Sequence, residues 1–168
     1  MGKHDIQYEN ISNQLTINYT RLTRFLDELD SEREFFHVTI ERVLNSALVI
    51  LAFDNEKVIG ITGLEKKWGI MRSYVVVKKD YQGKRIAENL YNERLKHTSS
   101  IKCNIILAVV EKRNLKSINH CISRGYRFGG EYWGNLRYYY LVLNFRGYMQ
   151  YIALRLINPL LRLINIVR

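Results

Sequence analysis

The chain has 168 residues, and its 26 Lys and Arg residues outnumber its 16 Asp and Glu residues, giving a formal net charge of +10. The length fits a single domain, and a hydrophobic content of 47% is sufficient to bury a core. Composition therefore excludes a wholly disordered chain and a collagen-like repeat, and the two cysteines, Cys103 and Cys121, are too few for a disulfide framework.

The positive charge is concentrated after the first third of the chain. Residues 1–56 contain 5 basic and 10 acidic residues, residues 57–131 contain 16 basic and 6 acidic residues, and residues 132–168 contain five arginines and no acidic residue. Such an excess favours an anionic partner, namely nucleic acid, a membrane surface or a phosphorylated small molecule. Because the basic residues lack the spacing of a recognition helix, nucleic acid is the least favoured of the three.

The start of the sequence, MGKHDIQYEN, is polar and has no apolar segment of the kind found in secretory signals. No run of roughly 18 apolar residues occurs elsewhere, so no membrane-spanning helix is expected. The sequence therefore predicts a cytoplasmic protein with reduced thiols.

Hydrophobic periodicity in the first half of the chain predicts a strand, a helical region and three further strands, in this order: 4–18, 20–46, 47–53, 58–64 and 73–77. In the first strand, Leu15, Ile17 and Tyr19 alternate and are expected on one face. The helical region is expected to form two amphipathic helices or one broken helix. The second and third strands flank a short polar turn, a pattern typical of a hairpin.

The second half predicts a helix, a buried strand, a short helix and two closing strands, in this order: 82–97, 103–110, 114–124, 126–133 and 136–145. Gly125 suits the position that follows the end of the short helix. The whole order indicates an α/β fold with a mainly antiparallel front half. We divide it into a domain of residues 1–145 and a basic amphipathic helical tail of residues 146–168.

The connection between the strand 73–77 and the following helix carries the most chemical information. From Gln82 to Ala87 it reads Gln-Gly-Lys-Arg-Ile-Ala. A helix start exposes unpaired backbone N–H groups and the positive end of the helix dipole, which together favour an anion such as a diphosphate. Lys84 and Arg85 add positive charge there, and Gly83 allows close backbone approach. The alternative is an ordinary turn with a solvated basic surface.

This connection resembles the signature of the GNAT (GCN5-related N-acetyltransferase) family of acyl-CoA-dependent acyltransferases. That signature is Gln or Arg, two residues, Gly, one residue, then Gly or Ala, directly after a strand. Gln82 and Ala87 match its first and last positions, whereas Arg85 replaces the central glycine. The family uses the central position for close approach of the pyrophosphate, and an arginine there still offers its backbone N–H and a guanidinium that can bind phosphate.

A second block strengthens the resemblance, which covers roughly residues 45–145. Asn114, Ser117, Gly125 and Tyr126 stand at the spacing of a family helix that begins with Asn and ends with Gly and an aromatic residue. The resemblance implies a central mixed, mostly antiparallel sheet flanked by helices and splayed at an acyl-CoA cleft, between the strands 73–77 and 103–110.

The resemblance also implies an acyl-CoA-dependent N-acyltransferase that transfers acetyl from acetyl-CoA, without a metal, to a primary amine by direct attack. The acceptor is expected to be a small-molecule amine or an amino sugar, and the alternative acceptor is a protein N-terminus or lysine. The residues implied in binding the acetyl-CoA co-substrate are Val75, Val76, Val77, Gln82, Gly83, Lys84, Arg85, Ile86, Ala87 and Asn114. The alternative is a catalytically silent module that keeps the fold and binds acyl-CoA or another protein.

Three residues are candidates for proton transfer. Cys121 stands where the family usually has a Tyr that protonates the departing CoA thiolate, and Tyr138 on the last strand is an alternative donor. Glu65, just after the strand 58–64, is the candidate general base. The competing interpretations are a small buried cysteine packed under the sheet and an exposed glutamate beside Lys66. Alternation sends Tyr139 to the face opposite Tyr138.

The tail 146–168 is the other distinctive feature. Its polar residues are spaced for one stripe of a helix: Arg155, Asn158, Arg162 and Asn165. Pro159 is expected to kink that helix or to begin a new turn. One hypothesis places the helix on an anionic membrane, which would hold the protein peripherally at the inner face of that membrane. The other packs it on its own domain or on a second subunit, as in a homodimer.

Overall fold

The computed structural model describes residues 6–12, 19–30, 38–67, 70–132 and 135–166, apart from the side chains of 30, 67, 132 and 157–166. Its elements, in chain order, are β1 (Ile6–Asn10), α1 (Tyr19–Asp30), α2 (Ile40–Leu44), β2 (Ser46–Asp54), β3 (Lys57–Lys67), β4 (Ile70–Val77), α3 (Ile86–Lys96), β5 (Ile105–Glu111), α4 (Leu115–Ser123), β6 (Arg127–Tyr132), β7 (Leu136–Val142) and α5 (Phe145–Ile166). They fall into two compact units, residues 1–102 and 103–168.

The first unit is built on four antiparallel strands in the order β1-β2-β3-β4. Strand β2 is buried on both faces, which explains its continuous apolar sequence. Val49 and Leu51 belong to the core that also includes the buried residues of α1 and α2, such as Leu22 and Val43. Because side chains alternate along a strand, the intervening residues of β2 point to the opposite face.

Helix α3 covers that opposite face. A Cβ placed on Gly60 of β3 would lie 3.0 Å from Leu90 Cδ1 on α3, so the helix and the strand are in close contact. Arg94, at the far end of α3, is buried and donates through Nη1 to Thr62 Oγ1 at 2.9 Å and to the Tyr74 carbonyl at 3.3 Å. These charge-assisted hydrogen bonds tie α3 to both β3 and β4.

The second unit contains three antiparallel strands in the order β5-β7-β6. The rings of Tyr138 and Tyr140 lie 5.7 Å apart on one face of β7, whereas Tyr139 packs edge-to-face on Phe128. The expected alternation of the three tyrosines is thus confirmed. Gly125 follows α4 with a φ of 80°, the left-handed conformation expected of a glycine in that position.

The predicted α/β class is confirmed: among the described residues, seven strands with mostly antiparallel pairing are flanked by helices. The boundaries of the first strand and of the last helix are corrected. The first strand is Ile6–Asn10, and Tyr19 begins α1 instead of ending that strand, while Leu15 and Ile17 lie outside the described residues. Phe145 begins α5 because Asn144 caps that helix, its Oδ1 accepting from the Gly147 backbone N–H at 2.9 Å.

The helical region predicted for residues 20–46 is two helices in the described residues, α1 and α2. Helix α3 begins at Ile86, four residues later than the predicted Gln82, because Lys79–Tyr81 form a single 3₁₀ turn and residues 82–85 are not helical. In the part of the chain that the structure covers, no helix has both the length and the apolar character needed to cross a membrane.

A buried cation joins the end of β4 to α1. The Lys78 ammonium, largely buried, donates to Glu28 Oε2, and this hydrogen bond lowers the pKa of Glu28 below its ordinary value of 4.5. A carboxyl whose pKa is lower in the folded state contributes stability above its unfolded pKa, and the contribution is lost as the pH falls through the folded pKa.

We therefore expect Glu28→Gln to lower the free energy of unfolding at neutral pH by about 0.5 kcal/mol, the value of a half-exposed ion pair. Urea titrations should show the difference from wild type shrinking as the pH falls below 4.5. Asp27→Asn, on the exposed side of the same helix, is the control and should show no such trend. A difference that is independent of pH would contradict the role of this ion pair.

Candidate active site

The segment between β4 and α3, residues 78–85, is called here the β4–α3 turn. Residues 82–85 are exposed, and two of them have positive φ: Gly83 at 79° and Arg85 at 60° with ψ of 14°. Arg85 is the N-cap of α3, and its side chain makes no capping hydrogen bond. The N–H groups of the first helical turn, which have no partners within a helix, therefore open towards an exposed loop.

The entry of this turn is fastened to the strands beside it. The Lys78 backbone N–H donates to the Ile59 carbonyl at 2.9 Å, and the Tyr81 hydroxyl donates to Asp54 Oδ2 at 2.7 Å. The bond to Asp54 raises the pKa of Tyr81, so this hydroxyl remains a proton donor to the carboxylate. Lys84 Nζ lies 4.6 Å from the centre of the Tyr81 ring, within the range of a cation–π contact.

The β4–α3 turn has the properties of an anion site. The exposed cations Lys84 and Arg85 directly precede the positive end of α3, and the exposed Lys79 lies earlier in the same turn. Asp80 and Glu88 are the acidic residues nearest in sequence. Arg85 takes the left-handed backbone conformation that a glycine adopts without strain, at a cost of roughly 1–2 kcal/mol. The chain thus keeps a glycine-like backbone path at this position and adds a guanidinium to it.

The three valines of β4 that are predicted to bind the co-substrate point to two opposite faces of the strand. Val77 faces α3, because its Cγ2 would lie 3.4 Å from a Cβ on Gly60, and Val75 lies two residues away on the same face. Val76 packs against the core formed with α1 and α2. The side chain of Val76 is therefore used in folding, and only its backbone remains for binding.

Glu65 is neither isolated nor fully exposed. Its side chain is 17% exposed, and its Oε2 accepts from Arg42 Nε on α2 at 3.1 Å. Arg42 also donates through Nη2 to the Ser73 carbonyl of β4 at 3.2 Å and lies 4.9 Å from the centre of the Tyr74 ring. The expected exposed glutamate beside Lys66 is thus replaced by a largely buried ion pair that links α2, β3 and β4.

No local pattern of residues indicates this cluster, which includes Arg42, Ser46 and Tyr74. Tyr74 Oη and Ser46 Oγ are 3.0 Å apart, and burial raises the pKa of Tyr74 to about 12. Burial, followed by the nearby charge of Arg72, lowers the pKa of Arg42 from its ordinary value. Arg42 is 23 residues away from Glu65 in sequence, so no local spacing relates them.

In the second unit, the two predicted residues of α4 have structural roles. Asn114 is the N-cap, its Oδ1 accepting from the Ser117 N–H at 3.1 Å. Cys121 is 7% exposed near the end of the helix, and its carbonyl accepts from the Tyr126 N–H at 3.0 Å. Both observations agree with a packed helix, and a catalytic role for Cys121 requires its thiol to be reached by the leaving group.

Tyr138, the alternative donor, is buried in an aromatic cluster. A Cβ on Gly129 of β6 would lie 2.6 Å from Tyr138 Cδ2 and 2.4 Å from Tyr140 Cε2, so both rings cover that glycine. Tyr140 in turn meets Tyr151 of α5 at 5.7 Å, and burial raises the pKa of Tyr140 to about 12. Among the described residues, no group of three or more His, Cys, Asp or Glu could hold a metal ion.

Comparison with known protein families assigns the chain to a class, the acyltransferases that use acyl-CoA. The sequence profile of the acetyltransferase (GNAT) family matches residues 13–126, more than half of the chain. The chain belongs to this family, for which acetyl-CoA is the co-substrate. No curated protein sequence matches the chain.

Solved structures agree on the fold. A GNAT-family acetyltransferase from Streptococcus pneumoniae has a TM-score of 0.67 at 16% identity, covering 83% of this chain and all of that one. Salmonella typhimurium yncA, a putative acetyltransferase solved with its cofactor acetyl-CoA, has a TM-score of 0.60 at 15% identity, covering 83% of this chain and 95% of that one. Ribosomal-protein-alanine N-acetyltransferase from Brucella melitensis has a TM-score of 0.61 at 18% identity, covering 82% of this chain and 99% of that one. At these identities the likeness concerns the fold alone.

The left-handed backbone at Arg85 leads to a stability prediction. We expect Arg85→Gly to raise the free energy of unfolding by about 1 kcal/mol, because glycine adopts a positive φ without the clash that a Cβ makes there. Lys102→Gly, at another exposed residue with a φ of 51°, should raise it similarly and serves as the control. Urea unfolding of the three proteins measures the effect, and a loss of stability in Arg85→Gly would contradict the strain inferred at this residue.

Proposed function

We propose that this protein transfers the acetyl group of acetyl-CoA to the primary amine of a small molecule or an amino sugar. The observation that carries the proposal is the exposed β4–α3 turn, with Arg85 as an N-cap whose side chain makes no capping hydrogen bond at the positive end of α3. A diphosphate is the kind of ligand such a helix start accepts. Membership of the acetyltransferase family supports the donor, and the acceptor is our proposal.

In this reaction the protein mainly positions the two substrates and transfers protons. Acetyl-CoA supplies an acyl group already activated as a thioester. A bond forms between the acceptor nitrogen and the carbonyl carbon, the carbon–sulfur bond breaks, and CoA leaves as a thiolate. The nitrogen must lose a proton and the thiolate must gain one, so a base and an acid are useful, whereas a covalent enzyme intermediate is not required.

For binding, we assign the diphosphate to residues 82–87 and the pantetheine arm to the backbone of Val75 and Val77. Lys84 and Arg85 supply charge, and the backbone N–H groups at the start of α3 supply directed hydrogen bonds. The Oδ1 of Asn114 caps α4, and its amide nitrogen is the group that can donate to the ligand.

For proton transfer, we assign the base to Glu65 and the acid to Cys121, with Tyr138 as the alternative acid. The Arg42 bond engages one oxygen of Glu65, and a carboxylate has further lone pairs that can accept a proton directly or through a water molecule. Cys121 has the support of the family position, and a thiol has a pKa close to that of the thiolate it would protonate.

An amine acceptor is consistent with the neighbours' names and with the charge of the chain. The Brucella relative is described as acting on the alanine of a ribosomal protein, and Campylobacter jejuni PseH, with 18% identity and a TM-score of 0.54, is described only as an N-acetyltransferase. An amine is cationic in solution, and the 10 acidic against 5 basic residues in the first 56 provide complementary charge. This charge balance favours an amine over an anionic acceptor.

We expect acetyl-CoA to be consumed only when an amine is present. The assay follows the loss of thioester absorbance with acetyl-CoA alone and with a panel of amines and amino sugars. Amine-dependent loss supports the enzyme. Saturable binding of acetyl-CoA in calorimetry, without turnover on any amine, would favour the silent module instead.

A variant of Arg85 and a donor that lacks the diphosphate test where acetyl-CoA binds. Arg85→Gln should weaken acetyl-CoA about tenfold or more, as expected for the loss of a charge-assisted hydrogen bond. It should have no effect on S-acetyl-pantetheine, which lacks the diphosphate. Arg21→Gln, an exposed arginine on α1, is the matched control and should leave both donors unaffected.

Removing either proton-transfer group should slow the chemical step. Glu65→Gln and Cys121→Ala should each lower kcat by about 100-fold or more, while the KM for acetyl-CoA changes little. Cys103→Ala, at the other buried cysteine, should keep the wild-type kcat. If Tyr138→Phe lowers kcat and Cys121→Ala does not, the donor is Tyr138.

A further inference from the structure

Helix α5 has one face that packs on the second unit. At its start, a Cβ on Gly147 would lie 1.9 Å from the Asn104 carbonyl oxygen, so only glycine permits this close approach. Asn144 Nδ2 donates to Asn104 Oδ1 at 2.9 Å, and one turn beyond Gly147 the buried Tyr151 meets Tyr140 of β7. The beginning of α5 is thereby fixed in orientation, with Gly147 and Tyr151 turned inward.

The opposite face of α5 is apolar and exposed. Phe145 is 79% exposed and Leu156 is 73% exposed, and Met149 and Tyr148 are exposed by about half. At roughly 100° per residue, Phe145, Met149 and Leu156 fall within about 40° of one another, on the side away from Gly147. Three large apolar side chains therefore form one stripe that the described part of the chain leaves in solvent.

Two arginines border this stripe. By the same helical geometry, Arg146 lies roughly 100° to one side of Phe145 and Arg155 roughly 80° to the other, and both are exposed. Arg155 lies 5.9 Å from the centre of the Tyr151 ring, which places its guanidinium at the edge of the packed face. An apolar stripe between two cations is the arrangement of a helix that lies in a lipid interface.

We infer that the exposed face of α5 binds an anionic lipid surface, with Phe145, Met149 and Leu156 entering the headgroup boundary and Arg146 and Arg155 contacting lipid phosphates. Charge complementarity supports this occupant, because the sequence has no acidic residue after Glu131 and carries five arginines there. Tyr148 suits the same position, since tyrosine has an apolar ring and a polar tip.

A second copy of the chain fits this face less well. A two-fold dimer through the stripe would bring α5 against α5 and would place Arg146 and Arg155 of both copies together. The sequence from 132 to 168 offers no carboxylate with which to pair them. Like charges brought together across an interface oppose association, whereas lipid phosphates neutralise them. The side chains of Asn158, Arg162 and Asn165, which belong to the polar stripe predicted from the sequence, lie outside the described residues.

The test is flotation of the full chain with vesicles of phosphatidylcholine alone or mixed with phosphatidylglycerol. We expect binding to the anionic vesicles only, weakening as salt is raised. Arg146→Gln/Arg155→Gln should reduce the partition coefficient about 25-fold, about fivefold for each arginine. Arg21→Gln/Arg24→Gln, two exposed arginines of α1, should retain it.

A second pair of double variants tests the contribution of the apolar side chains to vesicle binding. Phe145→Ser/Leu156→Ser should abolish flotation, and Leu115→Ser/Ile122→Ser, which removes two exposed apolar residues of α4, should retain it. Absence of flotation in wild type, or equal flotation of both double variants, would overturn the inference. So would a dimer, detected by light scattering without vesicles, that Phe145→Ser/Leu156→Ser converts to a monomer. Binding of acetyl-CoA by the same variants is measured in parallel, so that failure of the lipid site is distinguishable from failure of the enzyme.

Discussion

The backbone reversal between β4 and α3 is the constraint on which the rest of the site depends. The strand enters the β4–α3 turn held by the Lys78 amide bond to β3 and by the Tyr81 hydroxyl on Asp54. The helix that leaves it is held by Arg94, whose guanidinium reaches Thr62 and the backbone of β4. With both ends fixed, the residues between them have little choice of path, and the direction in which the start of α3 points is set by the packing of the first unit.

This constraint explains why a non-glycine residue stands in a left-handed conformation. Strain of this kind persists where surrounding contacts over-determine the backbone, and it is found most often at functional sites. Arg85 accepts the strain and brings a guanidinium to the point where the helix dipole and unpaired N–H groups already favour an anion. Arg85 in place of the central signature glycine therefore adds a side-chain positive charge, while the backbone keeps the conformation of a glycine.

Features encoded by local periodicity could be predicted from the sequence. The hairpin of β2 and β3, the alternation of the three tyrosines of β7 and the glycine after α4 all follow from neighbouring residues. The late start of α3 could not be predicted, because it depends on a positive φ at Arg85, and an arginine in the sequence does not indicate a positive φ. Nor could the pairing of Glu65 with Arg42, since the two meet only when α2 packs beside β3.

The structure also changes the meaning of the net charge. The acidic first third of the sequence supplies two of the groups that hold the β4–α3 turn, because Glu28 binds Lys78 and Asp54 binds Tyr81. The charge of Lys84 and Arg85 lies beyond these contacts, at the exposed tip. The arginines of α5 lack such partners nearby in sequence, because Arg146 and Arg155 belong to a stretch without any Asp or Glu. Negative charge to balance these arginines must come from another segment of the chain or from outside the molecule. The exposed apolar stripe between the two arginines favours a lipid surface as its source.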